Sequence, residues 1–192
     1  YGDCECPATE ESPTSPLSPY GMSKVHCLDW IRYYRREHGL KVYGGILSNH
    51  ESQFRAPIFV THKLANAAIR AFYDPSATTL VGDLGVIRDW GWAEEYMLAA
   101  LEIVASGEPD DYIIATGKSV ELGYLAKVMF DSLGLDMNRH LIADKTLYRS
   151  LEIRKSLLSP SKLKKCFGIE MNILADDVAR RLVKYYLSSY QN

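Results

Sequence analysis

Tyr20 and Lys24 stand four residues apart in the run Tyr20-Gly21-Met22-Ser23-Lys24, a spacing that puts a phenol and an ammonium on one face of a helix. An ammonium beside a phenol, helped by the positive end of a helix dipole, favours the phenolate, which can take a proton from a sugar hydroxyl. The lysine can also hold a ribose hydroxyl. Taken alone, this pattern is more often a solvated helix face than a site. Its setting distinguishes it: the tyrosine follows Ser18-Pro19 directly, acidic loop residues precede it, and a short apolar run ending in a polar loop comes after it.

The helix that must carry the pair is predicted to begin near Pro19 or Tyr20. Val25, Leu28, Ile31 and Tyr34 recur at three- or four-residue steps with Arg32, Arg35, Arg36 and Glu37 opposite, until Gly39 supplies a stop after about five turns. Upstream, Pro7, Pro13, Pro16 and Pro19 mark an extended loop. Residues 41–47 are short and apolar and read as a buried strand, and the polar run 48–52 lies at its carboxyl end, where open α/β sheets bind ligands.

Alternation then continues. Helices are predicted over 59–73, 92–105, 120–133, 161–166 and 174–187, and strands over 78–81 and 111–116, with a mixed stretch through 149 and 157. Strands alternating with helices of this length indicate an α/β protein with a largely parallel sheet. No glycine-rich phosphate-cradling turn follows a strand, since Gly44-Gly45 lies inside one rather than between a strand and a helix.

The totals bound the reading. A chain of 192 residues, 47% hydrophobic and 24% charged, suits a soluble globular body with one core or one core plus a small subdomain. A formal charge of −2 offers no excess for a polyphosphate backbone, so nucleic acid is not expected as a partner. No apolar run approaches the roughly 20 residues needed to cross a bilayer, and the acidic run from Tyr1 to Glu11 leads us to expect no export signal. Cys4, Cys6, Cys27 and Cys166 form no CxxC pair, so neither a zinc site nor a stapled scaffold is indicated; free thiols in a reducing cytoplasm are expected.

The run Ser18 to Lys24 resembles the active-site helix start of the extended short-chain dehydrogenases. The string Gly45-Ile46-Leu47-Ser48-Asn49-His50-Glu51-Ser52 is similar to that of the GDP-mannose 4,6-dehydratases, whose pattern has Asn-His-Glu-Ser after a buried strand. Phe59-Val60-Thr61-His62-Lys63, Arg88-Asp89-Trp90-Gly91 and Ile114-Ala115-Thr116-Gly117 follow in the family's order. The resemblance is clear to about residue 133 and thin in the last third.

It implies an enzyme that binds NADP and converts GDP-mannose to GDP-4-keto-6-deoxymannose: a hydride leaves C4 for the cofactor, water is lost across C5 and C6, and the hydride returns at C6. It further implies that Tyr20 is the base at the C4 hydroxyl and that Lys24, His50 and Arg55 contact the cofactor. Asn49, Lys63 and Arg88 would contact the nucleotide sugar, the two cations facing the diphosphate. Arg149 and Glu152 match the family's later Arg-x-x-Glu step, with Ser150 where proline is usual. No metal is implied. The alternatives on the residues alone are that Asn49 and His50 terminate a strand, Lys63 is a solvated lysine, Arg88-Asp89 is a local ion pair, and Trp90 and Trp92 pack.

Two departures bear on the sugar. Gln53-Phe54 stands where the family usually has Pro-Arg, and Trp92 replaces a common histidine or tyrosine. A related epimerase or reductase, or a non-catalytic nucleotide-sugar-binding module, therefore stays open. The fold expected is α/β, the C-terminal part of a Rossmann-like doubly wound parallel sheet plus a smaller mixed α/β substrate-binding subdomain. Residues 1–58 would be the later part of the dinucleotide-binding domain, and 59–192 mostly the subdomain, with segments returning to the sheet. The resemblance also implies an upstream half carrying the glycine-rich turn, a Ser/Thr that assists the tyrosine and a Glu that removes the C5 proton. Glu5, Glu10 and Glu11 are misplaced for that Glu. A body lacking this half should expose apolar faces and need a partner, and the family's habit is a homodimer or tetramer.

Overall fold

The computed structural model describes residues 1–3, 7–148 and 151–190. Helix α1 (Pro19–His38) starts where Ser18 Oγ accepts the Gly21 N–H at 3.1 Å and a proline fills the first turn. It stops where Gly39 takes φ 62°, a left-handed conformation that costs glycine nothing. The chain then enters β1 (Gly44–Leu47), and its apolar stripe of Val25, Leu28 and Ile31 is half-buried. Arg32 and Arg35 donate to opposite oxygens of the buried Asp111 at 2.6 and 2.9 Å, which pins the lower half of α1 to the start of β5 (Asp111–Ile114). Gly44 makes this close packing possible: a Cβ there would lie 2.3 Å from Asp111 Oδ1 and 2.9 Å from Leu28 Cδ1.

Strands β1 and β5 pair in parallel, Gly44 to Asp111 through Leu47 to Ile114. Their core is completed by α3 (Ala93–Ser106) and α5 (Ser161–Phe167), with Tyr96, Ala99, Ile103, Tyr112, Ile114 and Leu163 buried together. A second sheet joins β2 (Asn49–Glu51) in parallel to β4 (Ile87–Trp92), which pairs antiparallel with β6 (Ser119–Glu121). A parallel pair of β3 (Thr79–Val81) and β7 (Leu141–Ala143) accompanies it. The larger core is a helical layer of α2 (Val60–Tyr73), α4 (Leu122–Asp131) and α6 (Ala175–Tyr190). Ala65, Ala67, Ala68 and Ala71 let α2 approach α6 closely, while Leu64, Ile69, Leu125, Phe130 and Leu182 each add about 1.5–3 kcal/mol of burial.

Several elements differ from the sequence reading. Residues 87–92 form a strand that was not predicted, because charged Arg88 and Asp89 interrupt its apolar run; both charges are satisfied inside the fold. The helix expected over 120–133 forms as α4 over 122–131, its first two expected residues ending strand β6 instead. The strand expected over 111–116 ends at Ile114 because Asp89 takes the N–H groups of Thr116 and Gly117. Strands β2, β6 and β7 span three residues each, too few to display alternation.

Exposed apolar side chains include Met22, Trp30, Tyr33 and Tyr34 along α1 and Met97, Leu98, Leu101 and Val104 along α3. Cys27 and Cys166 are free and exposed, while Cys4 and Cys6 lie outside the described residues. No helix among the described residues is long and apolar enough to cross a membrane.

Candidate functional site

Tyr20 and Lys24 share one face of the first turns of α1, with the ammonium 5.2 Å from the ring centroid. The ring is 72% exposed. Topology sets its height. Leu28 packs on Gly44 at the start of β1. From Leu28 back to Tyr20 the helix climbs about 12 Å. From Gly44 to Ser48 the strand climbs about 13 Å. Helix and strand run in opposite directions, so the Tyr20 pair stands level with Ser48, at the carboxyl edge of the parallel pair, where such sheets bind ligands.

Ser48 continues the ladder, its N–H donating to Ile114 O at 3.0 Å, and opens into β2. His50 bonds through Nδ1 to Ser48 O at 2.9 Å. A carbonyl only accepts, so Nδ1 carries the proton and Nε2 is left for a ligand. The imidazole stacks on Tyr96 at 5.1 Å, and Tyr96 is fixed by a 2.6 Å hydroxyl contact to Ser48. Burial pushes the Tyr96 phenol far up, so it acts as a neutral support. Asn49 and Glu51 point to the other face with Trp90 and Trp92, by the parallel register of β2 on β4. Both tryptophans are buried in the helical core, as packing residues.

Beyond β2, Arg55 lies with its guanidinium 3.6 Å over the Phe59 ring and its Nε 3.2 Å from Glu51 Oε2, close enough to pair charges but not aligned as a hydrogen bond. Glu51 is fully buried and accepts from Thr61 Oγ1 at 2.7 Å. Burial pushes its carboxyl up, opposed by the Thr61 hydroxyl and the Arg55 charge.

Arg88 and Glu152, 64 residues apart, meet at 2.6 Å, and Arg88 also donates to the carbonyls of Ile87 and Ile153. The alternative of a local Arg88-Asp89 ion pair is therefore not what forms; Arg88 pairs with Glu152. Asp89 instead caps the segment after β5 through Thr116 and Gly117, and its buried carboxyl is pushed up by desolvation. Lys63 is exposed in the first turn of α2 and faces Asp144, whose carboxyl is held low first by the Thr146 hydroxyl and N–H, then by the Lys63 charge. Arg149 lies outside the described residues. Glu10 is buried and accepts the Ile113 N–H at 2.8 Å, a structural tie of the leading loop to β5.

The arrangement gathers Tyr20 with Lys24, His50 with Arg55 on one strand and loop, and Arg88 with Glu152. The sequence reading assigned no role to Glu51, Thr61, Phe59, Ser48 or Tyr96, which hold these groups in place. The available signal was the parity of Glu51: two residues after Asn49, it is an acidic side chain on a core-facing position.

Fold and site together define an α/β protein of the Rossmann type, in the class of the extended short-chain dehydrogenases. Two solved structures match closely in shape: RMD from Pseudomonas aeruginosa complexed with NADPH (TM-score 0.84, 21% identity, 95% of this chain and 60% of that one) and dTDP-glucose 4,6-dehydratase from Streptomyces venezuelae with NAD and TYD bound (TM-score 0.83, 23% identity, 99% and 57%). In sequence, GDP-mannose 4,6 dehydratase 1 of Arabidopsis thaliana is 31% identical over 183 residues, 95% of this chain and 51% of the relative. The family model for GDP-mannose 4,6 dehydratase matches residues 1–182, and the chain belongs to that family. It spans about half the length of the relatives it matches.

Proposed function

We propose that the full-length protein is a GDP-mannose 4,6-dehydratase that uses NADP. The observation that carries this is the Tyr20 and Lys24 pair at the carboxyl edge of the β1 and β5 pair, level with the loop that holds His50 and Arg55, in a member of this family. These residues fit a dinucleotide chemically. Lys24 offers an ammonium that would hold a ribose hydroxyl, His50 an Nε2 for a further contact, and Arg55 an outer guanidinium edge that makes no hydrogen bond among the described residues. When bound, NADP supplies a hydride acceptor for C4 of the sugar and a hydride donor for C6.

The chain's own residues do the remaining work. Tyr20 takes the proton of the C4 hydroxyl, and Lys24 supports the tyrosine and holds a ribose hydroxyl. Asn49 and Lys63 bind the nucleotide sugar. Arg88, with Glu152 fixing its angle, faces the diphosphate, and Arg149 joins this group. We assign residues 1–58 and the strands that return to β1 to dinucleotide binding, and most of 59–192 to the sugar nucleotide. The exposed apolar faces of α1 and α3 support a functional unit that includes an upstream half supplying the glycine-rich turn and the acid for C5. The partner is GDP-mannose or a closely related nucleotide sugar, and the assembly a homo-oligomer in the cytoplasm.

The test is turnover of GDP-mannose by the full-length protein, followed by mass spectrometry for a product 18 Da lighter that carries a 4-keto group. Epimerised or reduced sugar without loss of water would move the reading to a neighbouring activity, and GDP binding without any product would leave a binding module.

A further inference from the structure

Arg55 is gripped from two sides before any ligand arrives. The Phe59 ring covers one face of its guanidinium at 3.6 Å, and Glu51 Oε2 lies 3.2 Å behind its Nε. The carboxylate has no exposure, whereas the arginine side chain keeps 25%, so the charge that holds is inside and the charge that is held points out. Glu51 is itself anchored by Thr61, a buried residue in the first turn of α2, at 2.7 Å. Its second oxygen, Oε1, is buried and makes no hydrogen bond among the described residues. A buried carboxylate with an unsatisfied oxygen is costly, which makes its place behind a half-exposed cation hard to account for by stability alone. A guanidinium fixed by a ring face and a carboxylate has already lost the rotamer freedom that phosphate binding would otherwise remove.

We infer that Glu51 is a positioning residue which, with Phe59, fixes Arg55 so that its outer Nη edge meets a phosphate of the dinucleotide; this rests on the cofactor reading of the site proposed above. Neither Glu51 nor Phe59 touches the cofactor in this account. Both act through Arg55, and their effects must vanish when Arg55 is gone.

The test is NADPH binding to the full-length protein, read from the fluorescence of the nicotinamide. Arg55→Ala and Glu51→Gln, which keeps volume and removes charge, are each expected to weaken binding about tenfold. Phe59→Leu, at a partly exposed position where folding is not at stake, is expected to weaken it about threefold. In the Arg55→Ala background both further changes should leave the dissociation constant where it is. Losses that add to that of Arg55→Ala would overturn the positioning role and leave the cofactor reading standing. An Arg55→Ala protein that binds NADPH like the wild type would overturn the cofactor role of Arg55 and this inference with it. Should Glu51→Gln fail to fold, Glu51→Asp, which keeps the charge but shortens its reach toward Arg55, takes its place in the same cycle.

Discussion

Gly91→Ala should loosen the support of His50. Gly91 pairs with His50 in the register of β2 on β4, and a Cβ at this position would lie 2.4 Å from Tyr96 Cε2, 2.5 Å from its hydroxyl and 2.7 Å from Cζ. Real Cβ atoms do not approach a ring so closely, and Tyr96 cannot retreat: it is fully buried, stacked on His50 and bonded to Ser48. Overpacking of this kind costs about 1–3 kcal/mol, and loss of the Tyr96 to Ser48 hydrogen bond about 1 kcal/mol more. The sum, about 2–4 kcal/mol, is measurable by urea unfolding of the full-length protein. Tyr96→Phe, which removes only the hydroxyl, should cost about 1 kcal/mol. Gly91→Ala combined with Tyr96→Leu should cost less than the two changes summed, because the smaller side chain makes room. Because His50 moves with the ring, NADPH affinity should fall in Gly91→Ala as well. A Gly91→Ala protein within about 0.5 kcal/mol of wild type, with unchanged NADPH binding, would refute the claim that Tyr96 is wedged between the strand and the imidazole.

The remaining expectations are briefer. Tyr20→Phe should lower kcat about 100-fold or more with little change in KM, since a proton acceptor at the C4 hydroxyl is lost while the exposed ring remains; unchanged turnover would end the assignment. Gly44→Ala should destabilise by about 1–3 kcal/mol, read as a lower thermal midpoint, because the added carbon meets Asp111 Oδ1 at 2.3 Å while Arg32 and Arg35 hold that carboxylate in place. Glu51 and Asp89 have raised carboxyl pKa values in the fold, chiefly through burial, so the folded state keeps protons that the unfolded chain releases. Their contribution to stability is therefore fullest below the ordinary carboxylate range and is lost as pH rises through the folded values. Urea unfolding across that range should show a shallower fall in Glu51→Gln than in wild type, and parallel curves would contradict it.

Much of the architecture was legible because long amphipathic helices advertise themselves. The Ser18-Pro19 start and Gly39 stop bracket α1 within a residue of its observed ends, and the alanine-rich run of α2 is bounded by Phe59 and Asp74 much as expected. What the sequence hid has a common cause. Strand β4 carries Arg88 and Asp89 in its middle, and a strand with two adjacent charges looks like a loop until the partners of those charges are known. Those partners are Glu152, and Thr116 with Gly117, residues 64 and 27–28 positions away. Local periodicity cannot reach that far.

The site divides along the same line. Tyr20 and Lys24 were readable because one helix turn fixes their separation whatever the rest of the chain does. Arg88 and Glu152 were readable only as isolated residues, since their pairing depends on how two distant segments pack. The consequence is chemical. In its proposed place at the diphosphate, Arg88 has Nη2 committed to Glu152 and the Ile153 carbonyl and Nη1 to the Ile87 carbonyl of β4, so its angle of approach is set by the chain around residue 152 together with β4. Substitutions in that segment should therefore change sugar-nucleotide affinity without touching the nucleotide, whereas the Tyr20 pair, fixed by a single helix, should tolerate them with kcat unchanged.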